Sequence, residues 1–332
     1  MASFPHLGVF AQLKSAWGRI IRKVSPTHRL RLTYNLEIPM IVQSSTVPRI
    51  LQRAIANRAT ELTMLPAIAM EALKLARDPD CTVEQFANLV AKDMALASEI
   101  LLLANSPIYR TRGSKVSSLR LAVVRLGLRQ CRNLVLSCSA SSLMKRMPVQ
   151  HEWVRKVLWQ HSYRTAMTCT YLNTKLRLGF EGEEITAGLL HDLGRMLLAI
   201  AAPEDAADAD DLSFCDEDQQ LSQERMILGA DHCSFGAWFA KKQGLPDDLV
   251  AAIEHHHQPH DDHPFGKLIS LVATADHMAN HFQRFEEAGD YDITSNPGAH
   301  ALADLGYPKL LCDDASICEN VFSIVLGGDE EA

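Results

Sequence analysis

The chain has 332 residues, 47% of them hydrophobic and 22% charged, with a formal net charge of −7. That is the balance of an ordinary folded protein with one large or two ordinary cores. No apolar run approaches about 18 residues and the N-terminus shows no secretory pattern, so a membrane-crossing helix is not expected and a cytoplasmic location is.

The eight cysteines are scattered without a C-x-x-C pair, which suits reduced thiols better than a disulfide frame. The net charge hides an asymmetry: residues 1–160 carry +14 and residues 161–332 carry −21. The basic half could face an anionic partner or dock on the acidic half, and the intramolecular reading is preferred because net charge alone does not identify a partner.

Residues 1–57 read as a basic extension, with Leu7, Phe10, Leu13, Trp17, Ile20, Ile21 and Val24 at helical spacing. Residues 58–147 read as helix after helix. "ELTMLPAIAMEALKLARDPD" carries an apolar stripe and stops at Asp78-Pro79; "TVEQFANLV" opens on Thr82 as an N-cap with Gln85 three residues on. "SSLRLAVVRLGLRQCRNLVLSCSASSLM" is apolar on one side and bears Arg120, Arg125, Arg129 and Arg132 on the other, a row expected to be solvated. Residues 151–200 read as two long helices. The acidic "PEDAADADDLSFCDEDQQ" reads as a solvated loop, with helices returning at 219–243, 246–257 and 264–288. The tail beyond Gly289 reads as less regular. Period-two patterning is almost absent, so the fold class is all-α.

"GLLHDLGR" places His191 and Asp192 inside an apolar run, where an unsatisfied polar group costs a few kcal/mol. His161, His232, His255, His256, His257 and Asp276 recur within or at the end of the neighbouring helices. Groups presented inward from five helices can build a metal site in a bundle core. Imidazole and carboxylate donors suit Fe, Mn, Zn, Ni or Mg, and with no thiolate in the set a soft-ligand site is not expected.

These stretches resemble the HDOD family, a bacterial branch of the HD superfamily of metal-dependent phosphohydrolases. The resemblance covers roughly residues 58–280 and rests on "LPAIAMEALKLARDPD", "VAKDMALASEILLLANSPIYR", "VSSLRLAVVRLGLRQCRNLVL", "AGLLHDLGRMLL" and "ILGADHCSFGAWFAKKQGLPDDLVAAIEHHHQP". It implies an HD-domain-like helical bundle at 148–290, preceded by a second helical lobe at 58–147 and followed by a tail at 291–332. It also implies a primary metal held by His161, His191, Asp192 and Asp276. His232, His256 and His257 would complete a second metal or grip phosphate, Arg195 would steady a leaving charge, and His255 falls on a non-ligand position. Two departures stand out: Arg195 replaces the usual lysine of H-D-x-G-K, and "QPHDDHPFG" replaces the Gly-Tyr-Pro segment of the related HD-GYP group. Arginine keeps the charge but cannot act as a general acid. The resemblance therefore implies a signal-transduction module acting mainly by binding a signalling protein, with a nucleotide or phosphate ligand possible. The alternative is a metal-dependent phosphohydrolase acting on a nucleotide or cyclic dinucleotide. Nucleic acid is not an expected partner, since no recognised binding module is present.

Overall fold

The computed structural model describes residues 47–58, 62, 67–78, 80–106, 115–214, 219–260, 262–284, 290–312 and 314–327. The chain divides into Met1–Ser44 and Ser45–Ala332, and every described residue lies in the second unit. The amphipathic stretch at residues 7–24 falls outside the described residues. Among those described, all regular secondary structure is helical.

Helix α1 (Arg49–Ala56) buries Leu51 and Ile55. The basic half continues with α2 (Ala67–Arg77), α3 (Val83–Val90), α4 (Met94–Ala104), α5 (Leu119–Leu126) and α6 (Leu128–Arg146). Thr82 caps α3 as its spacing predicts: the Gln85 amide donates to Thr82 Oγ1 at 3.2 Å, and the Thr82 amide donates to Gln85 Oε1 at 2.9 Å. Asp93 caps α4 in the same way, accepting from the amides of Ala95 and Leu96. The long run from Leu119 is two helices rather than one. Gly127 sits between them at φ 82°, a conformation that glycine adopts without steric cost.

The second half is built on α7 (Glu152–Leu176), α8 (Glu183–Leu190), α9 (Leu193–Ala201), α10 (Pro203–Ala209), α11 (Gln219–Leu228), α12 (His232–Lys242), α13 (Asp247–His255) and α14 (Gly266–Gln283). Helices α7, α8 and α14 pack on one another, α9 packs on α12, and α1 packs on α9. The helix expected over 219–243 breaks before Asp231, whose side chain caps α12 by accepting from the Ser234 amide at 2.7 Å. Two further expectations change. The acidic stretch read as a solvated loop contains α10, opened by Pro203 at a position where its missing N–H costs nothing. The segment read as an irregular tail carries α15 (Pro297–Asp304), α16 (Lys309–Cys312) and α17 (Asp314–Gly327). Helices α15 and α17 lie on α14, burying Leu302, Ile317, Val321 and Val325. Exposing these apolar side chains would forfeit about 1.5–3 kcal/mol each.

Helix α6 packs on α8, and here the two charge signs meet. Arg129 lies 2.8 Å from Glu183 and 3.4 Å from Glu181, Asn133 donates to the Glu181 carbonyl at 2.9 Å, and the Ser137 and Thr186 hydroxyls are 2.8 Å apart. Two arginines of the row expected to be solvated, Arg129 and Arg132, thus face a carboxylate of the acidic half. Burial opposes the charge on Glu183, but the amides at 181 and 183 and the Arg129 guanidinium overcome it and lower its pKa. A lowered carboxylate pKa stabilises the fold above the ordinary carboxylate range and ceases to do so as pH falls through the lowered value. Glu183→Gln is therefore expected to flatten the acid side of the stability profile, read as urea midpoint against pH from 7 down to 3. An unchanged profile would show that this ion pair contributes nothing.

Candidate metal centre

His191 and Asp192 do not lie within one helix. They form the two-residue junction between α8 and α9, with Asp192 at φ −96° and ψ 17°. This sparsely populated bridge region turns the chain. On a continuous helix the two side chains would diverge by about 100°; the break lets both point into one space. His161 enters that space from the middle of α7, His232 from the first position of α12, His256 and His257 from just beyond α13, and Asp276 from α14. His161, His191, Asp192, His232, His256 and Asp276 are all at most 4% exposed.

The hydrogen bonds at the far side of each ring determine what the near side offers. His191 Nδ1 lies 2.8 Å from the Gly188 carbonyl and His256 Nδ1 lies 2.9 Å from the Ile253 carbonyl. His232 Nδ1 lies 2.8 Å from a Glu224 oxygen, and His161 Nδ1 lies 3.2 Å from Gln283 Oε1. Each of these partners can only accept, so each Nδ1 carries a proton and each ring turns its Nε2 inward, where the neutral form presents a lone pair. There His161 Nε2 and His191 Nε2 stand 3.1 Å apart, as do His232 Nε2 and His257 Nε2. Asp276 Oδ1 lies 3.0 Å from His161 Nε2 and 3.3 Å from His191 Nε2.

Lone pairs and carboxylate oxygens at such distances repel unless positive charge lies among them. Protons on His191 and His232, whose pKa values their neighbours raise against burial, supply part of that charge, and a bound cation would supply it for the cluster as a whole. Donors about 2.1 Å from a common ion would be separated by roughly 3.0 Å in octahedral and 3.4 Å in tetrahedral arrangement, which brackets the spacing found. The residues therefore fit a divalent metal.

Asp192 joins two groups of donors. Its Oδ2 is 3.5 Å from His161 Nε2 and 3.7 Å from His191 Nε2, while its Oδ1 is 3.5 Å from His232 Nε2 and 3.7 Å from His256 Nε2. Neither buried oxygen accepts a well-formed hydrogen bond. Burial alone would push the Asp192 carboxyl up, but Arg195 first, then His191, hold it well below the usual carboxylate range. Burial also lowers the His256 pKa, favouring its neutral, ligating form. Asp192 and Asp276 beside His191, and Cys233 and Glu224 beside His232, instead raise those two rings against burial, so a metal there would displace protons.

All seven residues expected as metal ligands thus converge, and His255 lies apart, its ring against His263. Arg195 differs from its expected role of facing a leaving group. It is 4% exposed and lies between Asp192 (3.0 Å) and Asp210 (3.1 Å), with its guanidinium carbon 5.5 Å from the Phe214 ring. A guanidinium held by two carboxylates and an aromatic face serves to orient Asp192. The expected absence of thiol donors is also corrected, because Cys233 lies among His232, His256 and His257. Glu224, Gln283 and Asp210 went unnoticed in the sequence: each is one polar residue on a helix or in an acidic run, and only its partner marks it. A cavity of about 350 Å³ reaches the cluster, lined in part by Arg225, His232, His256, His257, Asp276 and His277.

Comparison with known proteins places the chain in a family. The HDOD domain profile matches residues 62–259. A solved HDOD domain protein of unknown function from Geobacter sulfurreducens is similar with a TM-score of 0.61 at 24% identity, covering 85% of this chain and 98% of that one. A structure from Shewanella amazonensis SB2B described as "Putative phosphohydrolase" is similar with a TM-score of 0.58 at 24% identity, covering 84% and 98%. At these identities the likeness establishes the fold alone. An uncharacterized protein of Treponema pallidum (strain Nichols) is 26% identical over 251 residues, covering 74% of this chain, and the chain spans 47% of that relative's length.

Helices α9 and α12 bring Asp192 and His232 together only because Gly194 has no side chain. A Cβ there would lie 1.8 Å from the His232 carbonyl oxygen, a backbone atom. Gly194→Ala is expected to cost at least the 1–3 kcal/mol usual for overpacking, about 3 kcal/mol given the backbone obstacle. A urea midpoint equal to that of the wild type would defeat this account.

Proposed function

The chain belongs to the HDOD family, and from that premise we propose that it is a signal-transduction module whose second half holds a divalent-metal centre and whose first half receives a partner. The observation that carries the metal reading is the inward set of Nε2 lone pairs, each fixed by an acceptor on its Nδ1, around the buried oxygens of Asp192 and Asp276. His161, His191, Asp192 and Asp276 hold one ion; His232, His256 and His257 hold or complete a second, with Asp192 between them.

Helix α8 supports the regulatory part of the reading. Its first turn carries Glu183, bound by Arg129 of the basic half, and its last residue precedes His191. Its eight residues span about 12 Å, so a shift of α6 caused by a signalling protein is transmitted to a metal ligand through one short rigid element. That coupling requires two discrete arrangements of α8.

A second reading, phosphoester hydrolysis, is favoured by the cavity that reaches the cluster. The ion would supply Lewis acidity toward a phosphoryl oxygen. The chain's own residues would do the rest: the closed helical core excludes water behind the cluster, Glu224 and Gln283 keep the imidazoles oriented, and Arg195 keeps Asp192 ionised and aimed. Arg225, at the cavity wall and ion-paired through Nε with Asp231, would present the remaining face of its guanidinium to a substrate phosphate.

Elemental analysis of the purified full chain tests the metal reading. About two divalent ions per chain are expected, as for a two-metal site, falling to less than half in a His191→Ala, Asp192→Ala double variant that stays helical by circular dichroism. A wild-type chain purified without chelator that neither retains nor takes up divalent metal overturns it. A parallel screen of phosphodiesters and cyclic dinucleotides decides between the two readings: little turnover supports the regulatory one, whereas robust metal-dependent turnover lost in the double variant makes the enzyme primary.

A further inference from the structure

Cys233 is 5% exposed and follows His232 at the start of α12. One ligating atom from each of His232, Cys233, His256 and His257 lies within 4.8 Å of the others. His256 Nε2, buried in the same place, has no hydrogen-bond partner. Asp192 Oδ1 lies 3.7 Å from it, beyond hydrogen-bonding range. A buried imidazole nitrogen with its lone pair unanswered, beside a buried thiol and two more imidazoles, is a donor set awaiting a cation.

We propose that the second centre is a histidine–thiolate site, in which Cys233 Sγ joins His232, His256 and His257 and selects a thiophilic ion such as zinc. The proposal rests on the metal reading above and adds a ligand to it. The chemistry separates the two centres. His161, His191, Asp192 and Asp276 offer two nitrogens and two carboxylates, a set suited to iron or manganese; three imidazoles and a thiolate in tetrahedral reach suit zinc or cobalt and disfavour magnesium and manganese. When the ion binds, a sulfur–metal bond forms and the thiol proton leaves to solvent, with no change of oxidation state. The four donors already lie within 4.8 Å of one another, and a χ1 change at Cys233 is the adjustment available for bringing them to the roughly 3.4–3.7 Å of tetrahedral ligands. The chain then carries two unlike ions joined by Asp192, and its metal content depends on thiol oxidation as well as on supply.

The experiment uses the full chain stripped by a chelator and titrated with cobalt(II) alone. Binding at both centres with an intense near-ultraviolet sulfur-to-cobalt charge-transfer band is expected. That band should vanish in Cys233→Ser and persist in His161→Ala, which damages only the first centre. The serine variant should also release zinc at least about tenfold more readily from the second centre, the size of effect seen when a site loses one supporting group. Two cobalt ions bound without the band, or a band that survives in Cys233→Ser, overturns the proposal while leaving the metal reading intact. No cobalt bound at all overturns both. Should Cys233→Ser fail to fold, cobalt-edge X-ray absorption of the wild type gives the answer instead: a sulfur scatterer supports the proposal and a shell of nitrogen and oxygen alone overturns it.

Discussion

Two pairs of imidazole Nε2 atoms 3.1 Å apart, set around carboxylates sealed in a helical core, are the constraint on which the rest of this structure depends. In water such groups are solvated; in a dry interior each unpaired one costs at least 1–3 kcal/mol, and charged ones more. The surrounding residues make sense as compensation. Gly188, Ile253, Glu224 and Gln283 take up the outer imidazole nitrogens. Arg195, itself balanced by Asp210, sits against Asp192. What remains inside is electron density directed at a common space, which is the electrostatic description of a cation site.

The helical frame bends to serve that space. Chain breaks before Asp231 and at His191-Asp192 release side chains from the angular spacing of a continuous helix, and each break falls where a ligand is needed. Close contact of α9 with α12 at Gly194 shortens the distance between donor groups by the width of a side chain. Outside the cluster, the C-terminal helices complete the wall: Tyr291 stands 2.8 Å from His277 Nδ1 and is itself held by the Asn296 amide at 2.8 Å. The basic half meets the helices that carry the site where α6 packs on α8 and α7 and where α1 packs on α9; the α8 contact is made by the Arg129–Glu183 pair and the hydroxyls of Ser137 and Thr186.

Several residues change meaning once their neighbours are known. Arg195, three positions past the histidine–aspartate pair and next to a glycine, looks like a phosphate grip, yet two carboxylates already occupy it. The acidic stretch after Ala202 looks solvated because eight carboxylates crowd eighteen residues, yet Asp210 and Phe214 turn inward to meet Arg195 and His161. Cys233 looks like one more buried thiol, a common core residue. Its place beside three imidazoles follows from the start of α12 and the end of α13 meeting, and no local pattern records that meeting.

The amino-acid sequence alone determined the helical class, through apolar residues at 3.6-residue spacing, and it determined Thr82 as a cap, through the side-chain chemistry of the first turn. It also marked the histidines and aspartates of the cluster, because polar groups inside apolar runs are conspicuous wherever the fold takes them. These are local properties, written within one or two helical turns. Tertiary structure alone decided which nitrogen of each ring faces inward, that Arg195 belongs to Asp192, that Glu224 belongs to His232, and that residues 297–327 are core-covering helices rather than a tail. Each of those depends on a contact between residues far apart in the chain, and a side chain's charge, tautomer and solvation are set by whatever the fold brings within about 4 Å of it.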